Sequence, residues 1–464
     1  MARNPAPPDR PAAWRLAVFA SLAIPLAGAG LPLAVYLPPY YAQEVGLGLG
    51  MVGAVFMLSR IFDAFTDPLV GALSDRSRSR FGRRKPWIAA GAPLFALSTA
   101  AIFAPGLFGV TPGAVWLSVW LIVFYIGWTM IQIPVSAWAG QLAAQYHERS
   151  RVQTYFQVAT AAGLLLVLIL PAVLDRIGTR SGVAPDPSLK VAVMGGFILA
   201  TFVPALLGAL FLVKEPPAPA PNPKPSTLRA DLAVAVRDPL LLKVLSSDFA
   251  VTLGQLIRSS LFVFFVSAYM GRPDLAAGLF LLQFVFGVFA GPIWLRIGYR
   301  LGKHRAAVAG ELVQVAINLA LLFVSPGGLA LLVGLTIAQG LAQGSGNLML
   351  RSMVSDVADK QRLDTGEDRT GLLFSIFSLT GKAATAVAVG VALPLVGLLG
   401  FKPGAANAPE ALLALKLVFA LGPAAAHLVS AWLISGFSLD EARHQDIRRQ
   451  LAQRDAGPLV TPAE

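Results

Sequence analysis

Apolar runs of about twenty residues or more recur along the chain. They fall at roughly 14–42, 48–74, 87–106, 113–142, 152–175, 190–213, 241–270, 275–298, 304–324, 328–354, 369–398 and 409–436. About twenty such residues in a helix cross the roughly 30 Å hydrocarbon core of a bilayer. In that medium a backbone must satisfy its own hydrogen bonds, and a helix does so within one segment. The pattern therefore predicts an all-α membrane protein with twelve transmembrane helices. Charged residues make up 13% of the chain, about half the share of a soluble domain. Cysteine is absent, which excludes disulfides, thiolate catalysis and Cys-ligated metals. His147, His304, His427 and His444 show no metal-ligand spacing, and His427 reads as a packed helix residue. Without a Walker A, G-x-S-x-G, H-E-x-x-H or dinucleotide motif, neither ATP drive, an enzyme activity nor a cofactor is expected.

The net charge of +12 comes from residues gathered between the apolar runs. That is the pattern of cytoplasmic loops and not of a nucleic-acid groove, so no nucleic-acid partner is expected. Arg3 and Arg10 precede the first run and Arg15 stands at its start; the run is too long for a signal-peptide core and is expected to stay as a helix. Basic connections follow at 76–85, 149–151, 214–229, 296–305, 360–362 and 443–454, alternating with connections poorer in charge. The positive-inside rule then puts both termini in the cytoplasm of a bacterial inner-membrane protein. The Pro/Ala-rich stretch 214–239 separates six runs from six, and such composition makes a semi-rigid linker. The expected organisation is an N-terminal bundle over 1–213, the linker, a C-terminal bundle over 240–436 and a tail over 437–464. Residues Gly71 to Gly82 (GALSDRSRSRFG) and Gly291 to Gly302 (GPIWLRIGYRLG) echo one another after the second run of each half. Two duplicated six-helix bundles describe the major facilitator fold.

Asp63 and Asp67 stand inside the second run, at i and i+4, and so share one helix face. A carboxylate at that depth costs roughly 3 kcal/mol on translocon scales and marks a functional group by default. Mutual repulsion disfavours ionisation of both unless a cation sits between them. With Thr66 and the carbonyl freed upstream of Pro68, they form a site for a sodium ion or a shared proton. Arg60, one turn away, is the obvious partner if Asp63 is instead a structural ion pair.

The stretch RIFDAFTDPLVGALSDRSRSRFGRRKPW, with HERSR after helix 4 and SDVADKQRLDTGEDRTG after helix 10, resembles the glycoside–pentoside–hexuronide:cation symporters. The resemblance implies a secondary transporter that couples Na⁺ or H⁺ to a sugar, glycoside or uronide-like solute by alternating access. It further implies that Asp63 and Asp67 bind the cation and that Lys382 on helix 11 couples charge state to solute. Two carboxylates and one ammonium leave one negative charge, which a monovalent cation neutralises.

The solute side departs from the family's best-known member, with Ala27 and Gln132 where that protein has aspartates and Trp138 as the nearest candidate for the aromatic that follows shortly after. Helix 7 brings Asp248, Gln255 and Arg258 into the membrane instead. Arginine is a preferred clamp for carboxylate or phosphate, so an anionic solute is one reading and an internal ion pair is the other. Asn347, Gln343, Tyr36 and Tyr125 complete the solute-facing candidates, while Tyr40 and Tyr41 suit the interfacial aromatic belt. Asp75 with Arg76, Arg78, Arg80, Arg83 and Arg84 reads as a cytoplasmic gate. The expected partners are a small solute, a monovalent cation and the bilayer around a monomer. A sodium-coupled lysophospholipid carrier is the alternative within transport, and a membrane scaffold or sensor the alternative outside it.

Overall fold

A computed structural model describes residues 12–77, 79–142, 146–181, 186–215, 238–366 and 370–455 of the 464. All regular structure among them is helical. Twelve segments are long and apolar enough to cross a membrane. The first six are α1 (Ala13–Val35), α2 (Leu49–Arg76), α3 (Lys85–Phe103), α4 (Ala114–Gln141), α5 (Tyr146–Ser181) and α6 (Pro187–Leu212). The second six are α7 (Pro239–Phe264), α8 (Ala276–Leu301), α9 (Lys303–Ala320), α10 (Leu329–Thr365), α11 (Thr370–Leu398) and α12 (Pro409–Ser435). A further polar helix, α13 (Glu441–Asp455), follows. Most of the 214–239 connection, residues 216–237, lies outside the described residues, as do 456–464 of the tail.

Local chemistry sets several of these boundaries. Asp186 and Asp238 each accept a hydrogen bond from a backbone N–H of the helix they precede, Ser188 N at 2.8 Å and Leu240 N at 2.9 Å. Each is followed by a proline at the first helical position, where the missing N–H costs nothing. Hydrogen bonding from Ser188, through its side chain first and then its backbone N–H, holds the Asp186 carboxyl below its ordinary range. Two apolar runs are less continuous than they read. The first is interrupted at Ser21–Leu22 and again at Tyr36. The tenth breaks after Ala342, because Gly344 adopts φ +78°, and resumes as a helix from Ser345. A left-handed residue ends an α-helix, and glycine takes that conformation without steric penalty.

The chain divides into two compact units. The first takes in 1–221 with 272–281 and 402–406. Within it α4 packs against α2 and α3, and α1 lies against α5 and α6. Its core holds Phe19, Phe95, Phe124, Trp138 and Phe202, all essentially inaccessible. Tyr41 is also buried there and donates to the Ile102 carbonyl at 2.9 Å, so it is a packing residue rather than part of an aromatic belt. In the second unit α12 packs against α7 and α9, and α11 against α7. Leu241, Val244, Met353, Leu373 and Ile434 are among its fully buried residues. The outward faces stay apolar, as Val203, Leu207 and Phe211 on α6 and Leu421, Leu428 and Trp432 on α12 illustrate. A soluble protein leaves few patches of that kind, whereas a bilayer solvates them.

The glycine echo has a structural counterpart. Gly82 at φ +109° and Gly302 at φ +81° both turn the chain just before the third helix of their unit. At the first of these turns the Glu215 carboxylate accepts from the backbone N–H groups of Arg83 (2.9 Å), Arg84 (2.8 Å) and Lys85 (3.3 Å). These are orphan donors at a helix N-terminus, where a negative charge also meets the favourable end of the helix dipole. A side chain at Gly82 would collide with that carboxylate. Arg84 is buried and donates to Ser74 Oγ at 2.9 Å, and Lys85 Nζ donates to the Leu210 carbonyl at 2.6 Å. Arg80 lies over the exposed Phe81 ring. Of the other gate candidates, Arg78 and the side chains of Asp75 and Arg76 lie outside the described residues.

Replacing Glu215 by Ala strands three backbone donors, and charge-assisted bonds of this kind are worth about 1.5–3 kcal/mol each at most. The E215A protein should therefore melt several degrees below wild type in detergent, with E215D recovering part of the loss. A tryptophan-fluorescence melt measures both.

Candidate functional site

The two helix-2 carboxylates meet a hydroxyl from α4. Asp63 is 3% exposed, Asp67 is half-buried, and Thr129 is fully buried. Thr129 Oγ1 lies 3.0 Å from Asp63 Oδ1 and 2.9 Å from Asp67 Oδ1. One hydroxyl carries one proton and donates one full hydrogen bond, while ionised carboxylates only accept. The second short oxygen–oxygen contact is relieved by positive charge beside the pair, whether a proton on one carboxyl, a side-chain cation or a monovalent ion. Hard oxygen ligands of this kind suit Na⁺ and not a soft metal. Among the described residues no group of three or more His, Cys, Asp or Glu is placed to hold a metal ion.

Thr66 takes a different part from the one expected. Its hydroxyl donates to the backbone carbonyl of Asp63 at 3.0 Å, within its own helix. Such i−3 back-bonding is a common refuge for a helical threonine. The hydroxyl that completes the carboxylate pair is Thr129, which sequence reasoning missed. Its signal was faint: a threonine three residues before Gln132, with no spacing relation to α2. Arg60 places its guanidinium 4.9 Å from the centre of the Tyr125 ring, and Tyr125 is buried beneath it.

Gln132 is exposed on α4 and accepts a hydrogen bond from Trp128 Nε1. Trp138, expected beside it, lies elsewhere. It is fully buried, 4.6 Å from the Phe19 ring, with Lys85 Nζ 5.6 Å from its own ring centre. Six residues along a helix is a turn and two-thirds, which faces the far side, whereas Trp128 is one turn from Gln132. The aromatic companion of Gln132 is therefore Trp128. The Tyr36 hydroxyl is buried, and burial pushes its phenol pKa upward, so it stays protonated.

In the second unit, Asn347 of α10 draws two turns of α7 together. Its Nδ2 donates to Asp248 Oδ1 at 3.1 Å, and its Oδ1 accepts from Gln255 Nε2 at 2.9 Å. Gly381 of α11 brings its backbone towards the same Asp248 carboxylate, and Lys382 is the next residue. Gln343 sits at the break in α10 with its Oε1 buried against Gly287. Arg258 departs from this group. It is 3% exposed, donates to Asn318 Oδ1 of α9 at 2.8 Å and lies over the Phe419 ring of α12. The structure brings Asp248, Gln255 and Asn347 together and encloses Arg258 inside the bundle.

A family model described as MFS/sugar transport protein matches residues 18–441. The chain belongs to that family. It is a multi-pass inner-membrane transporter of the major facilitator superfamily and not an enzyme. The glucuronide carrier protein homologue of Escherichia coli is 25% identical over 437 residues, covering 91% of each chain. The isoprimeverose transporter of Lactiplantibacillus pentosus is 23% identical over 444 residues, covering 91% of this chain and 89% of that one. The fold matches a crystal structure of the nucleoside transporter NupG with a TM-score of 0.62 at 13% identity, over 91% of this chain and 98% of that one.

The Thr129 hydroxyl makes a specific demand on the transporter. T129V keeps the shape and removes the oxygen, which weakens cation binding by about tenfold if one charge-assisted contact of roughly 1.5 kcal/mol is lost. T129S should bind as wild type. Thermal stability titrated with sodium at constant ionic strength, and separately with pH, reads the shift.

Proposed function

We propose that this transporter is a symporter that couples Na⁺ or H⁺ to the uptake of a sugar, glycoside or uronide-like solute by alternating access. The observation that carries the proposal is the meeting of Asp63 and Asp67 on one buried Thr129 hydroxyl, which concentrates two carboxylates where positive charge beside them is favoured. Filling it with a monovalent cation lowers the cost of holding carboxylates at membrane depth, which is the physical basis for coupling cation to solute. Lys382 would supply the compensating charge that makes the carboxylate site respond to one cation rather than two.

On the solute side, amide and carboxylate groups suit hydroxyl-rich ligands. Gln132 beside Trp128 offers an amide next to an aromatic face, and Asp248, Asn347 and Gln255 offer donors and acceptors already held in place. The relatives named for a glucuronide and for isoprimeverose favour this solute class over a lysophospholipid, and the intact carboxylate pair of helix 2 speaks against a scaffold. The proposal includes both termini and the 214–239 connection in the cytoplasm, with a monomer as the working unit.

Reconstitution into proteoliposomes tests the proposal. A sodium or proton gradient should drive accumulation of a labelled glucuronide or a labelled neutral disaccharide. D63N and D67N should each reduce that accumulation at least tenfold, to the level reached without a gradient. Equal accumulation in wild type and both variants would sink the coupling assignment.

A further inference from the structure

Glu311 and His427 form an ionisable pair inside the second unit, and nothing in the cation or solute assignments uses them. Glu311 Oε2 and His427 Nδ1 are 2.6 Å apart, and both side chains are 1% exposed. The pair joins α9 to α12. Room for it is built into the neighbouring helices. Glu311 Oε1 lies over Gly346 of α10, where any Cβ would strike it, and His427 Cδ2 lies 3.4 Å from the place a Cβ would take on Gly254 of α7. Glu311 Oε1 and His427 Nε2 are both buried without a hydrogen-bond partner. Buried carboxylates and imidazoles are costly, and a half-satisfied pair is costlier than an apolar filling of the same volume. Four helices are nevertheless shaped around this one.

A nitrogen and a carboxylate oxygen at that separation need a proton between them. The contact survives in two charge states. With a neutral imidazole donating through Nδ1, the pair carries one negative charge. With one more proton the pair is neutral, either as imidazolium with carboxylate or as imidazole with carboxylic acid. Arg258 lies one turn along α7 from Gly254 and has buried Nε and Nη2 atoms without hydrogen-bond partners. Other charges reach the pair from its neighbours. Asp248 on α7 is near enough to repel Glu311 and is itself attracted by Arg351 of α10. Lys382 belongs to α11, which packs on α7. Lys416 of α12 is engaged over the Tyr269 ring at 5.1 Å. A site that keeps its hydrogen bond while exchanging one proton is a proton-binding site.

We infer that Glu311 and His427 bind and release one proton inside the second unit, at a site separate from the carboxylates of α2. The transporter then responds to pH through this pair whichever cation drives it.

The chain has four histidines, so the triple variant H147Q/H304Q/H444Q leaves His427 alone and untouched. Ring ¹⁵N nuclear magnetic resonance of that protein, labelled at histidine and purified in detergent, should show one imidazole moving between two forms between pH 5 and 9. Adding E311Q should displace the midpoint at least tenfold in proton concentration, while adding D63N and D67N should leave it in place. A His427 signal that stays in one form across this range, in protein that remains folded, overturns the inference. So does a titration that disappears with D63N and D67N. Because the readout needs neither solute nor flux, failure here leaves the symport proposal standing, and failure there leaves this one.

Discussion

A polar group carried into the apolar interior of this protein is costly unless it meets another polar group there. Backbone groups meet that constraint within each helix, so the fold is a set of helices. Side chains have no such local solution and are matched across helices instead. Thr129 between Asp63 and Asp67, Asn347 between Asp248 and Gln255, Arg258 with Asn318, and Glu311 with His427 are four instances. Each joins residues of different helices through a contact of about 3 Å or less. Apolar side chains fill the rest, and neighbouring lipid makes no demand on them.

These polar islands differ in what they leave unfinished, and function follows from the difference. Asn347 gives and accepts, and its neighbours are satisfied by it. The carboxylates around Thr129 bring two acidic groups onto one hydroxyl, which favours positive charge beside them. The Glu311–His427 pair has one shared proton and room for a second. Unfinished polar groups in a dry interior bind ions strongly, because the alternative is a buried charge or an orphaned donor. The glutamate at position 215 plays the opposite role, closing three backbone donors at the start of α3 and so fixing the turn beside Arg84.

Much of this was legible in the chain itself. Spans of twenty apolar residues, the i and i+4 carboxylates and the glycines before the third helix of each half are local patterns, and local geometry expresses them directly. Reading failed where a side chain's role depends on what lies opposite. Trp138 follows the I-P step in sequence, yet its helical phase turns it away from Gln132 and Trp128 stands one turn from it instead. Thr66 is near the carboxylates in sequence, yet the hydroxyl that meets both of them is that of Thr129. Glu311 went unnoticed within AAVAGELVQVA, although a carboxylate in an apolar run carries the same signal that singled out Asp63.

By itself the sequence determined the medium, the number of spans and the helix that carries Asp63 and Asp67, because hydrophobic length and a period of 3.6 residues act over short distances. Tertiary structure decided which groups those carboxylates meet and what surrounds Arg258 and His427. Thr129 is 66 residues from Asp63, Asn318 is 60 from Arg258, and Glu311 is 116 from His427. Contacts of that range depend on how each helix is rotated and which helix it packs against. The packing of a whole bundle selects that rotation, and no short stretch of sequence encodes it.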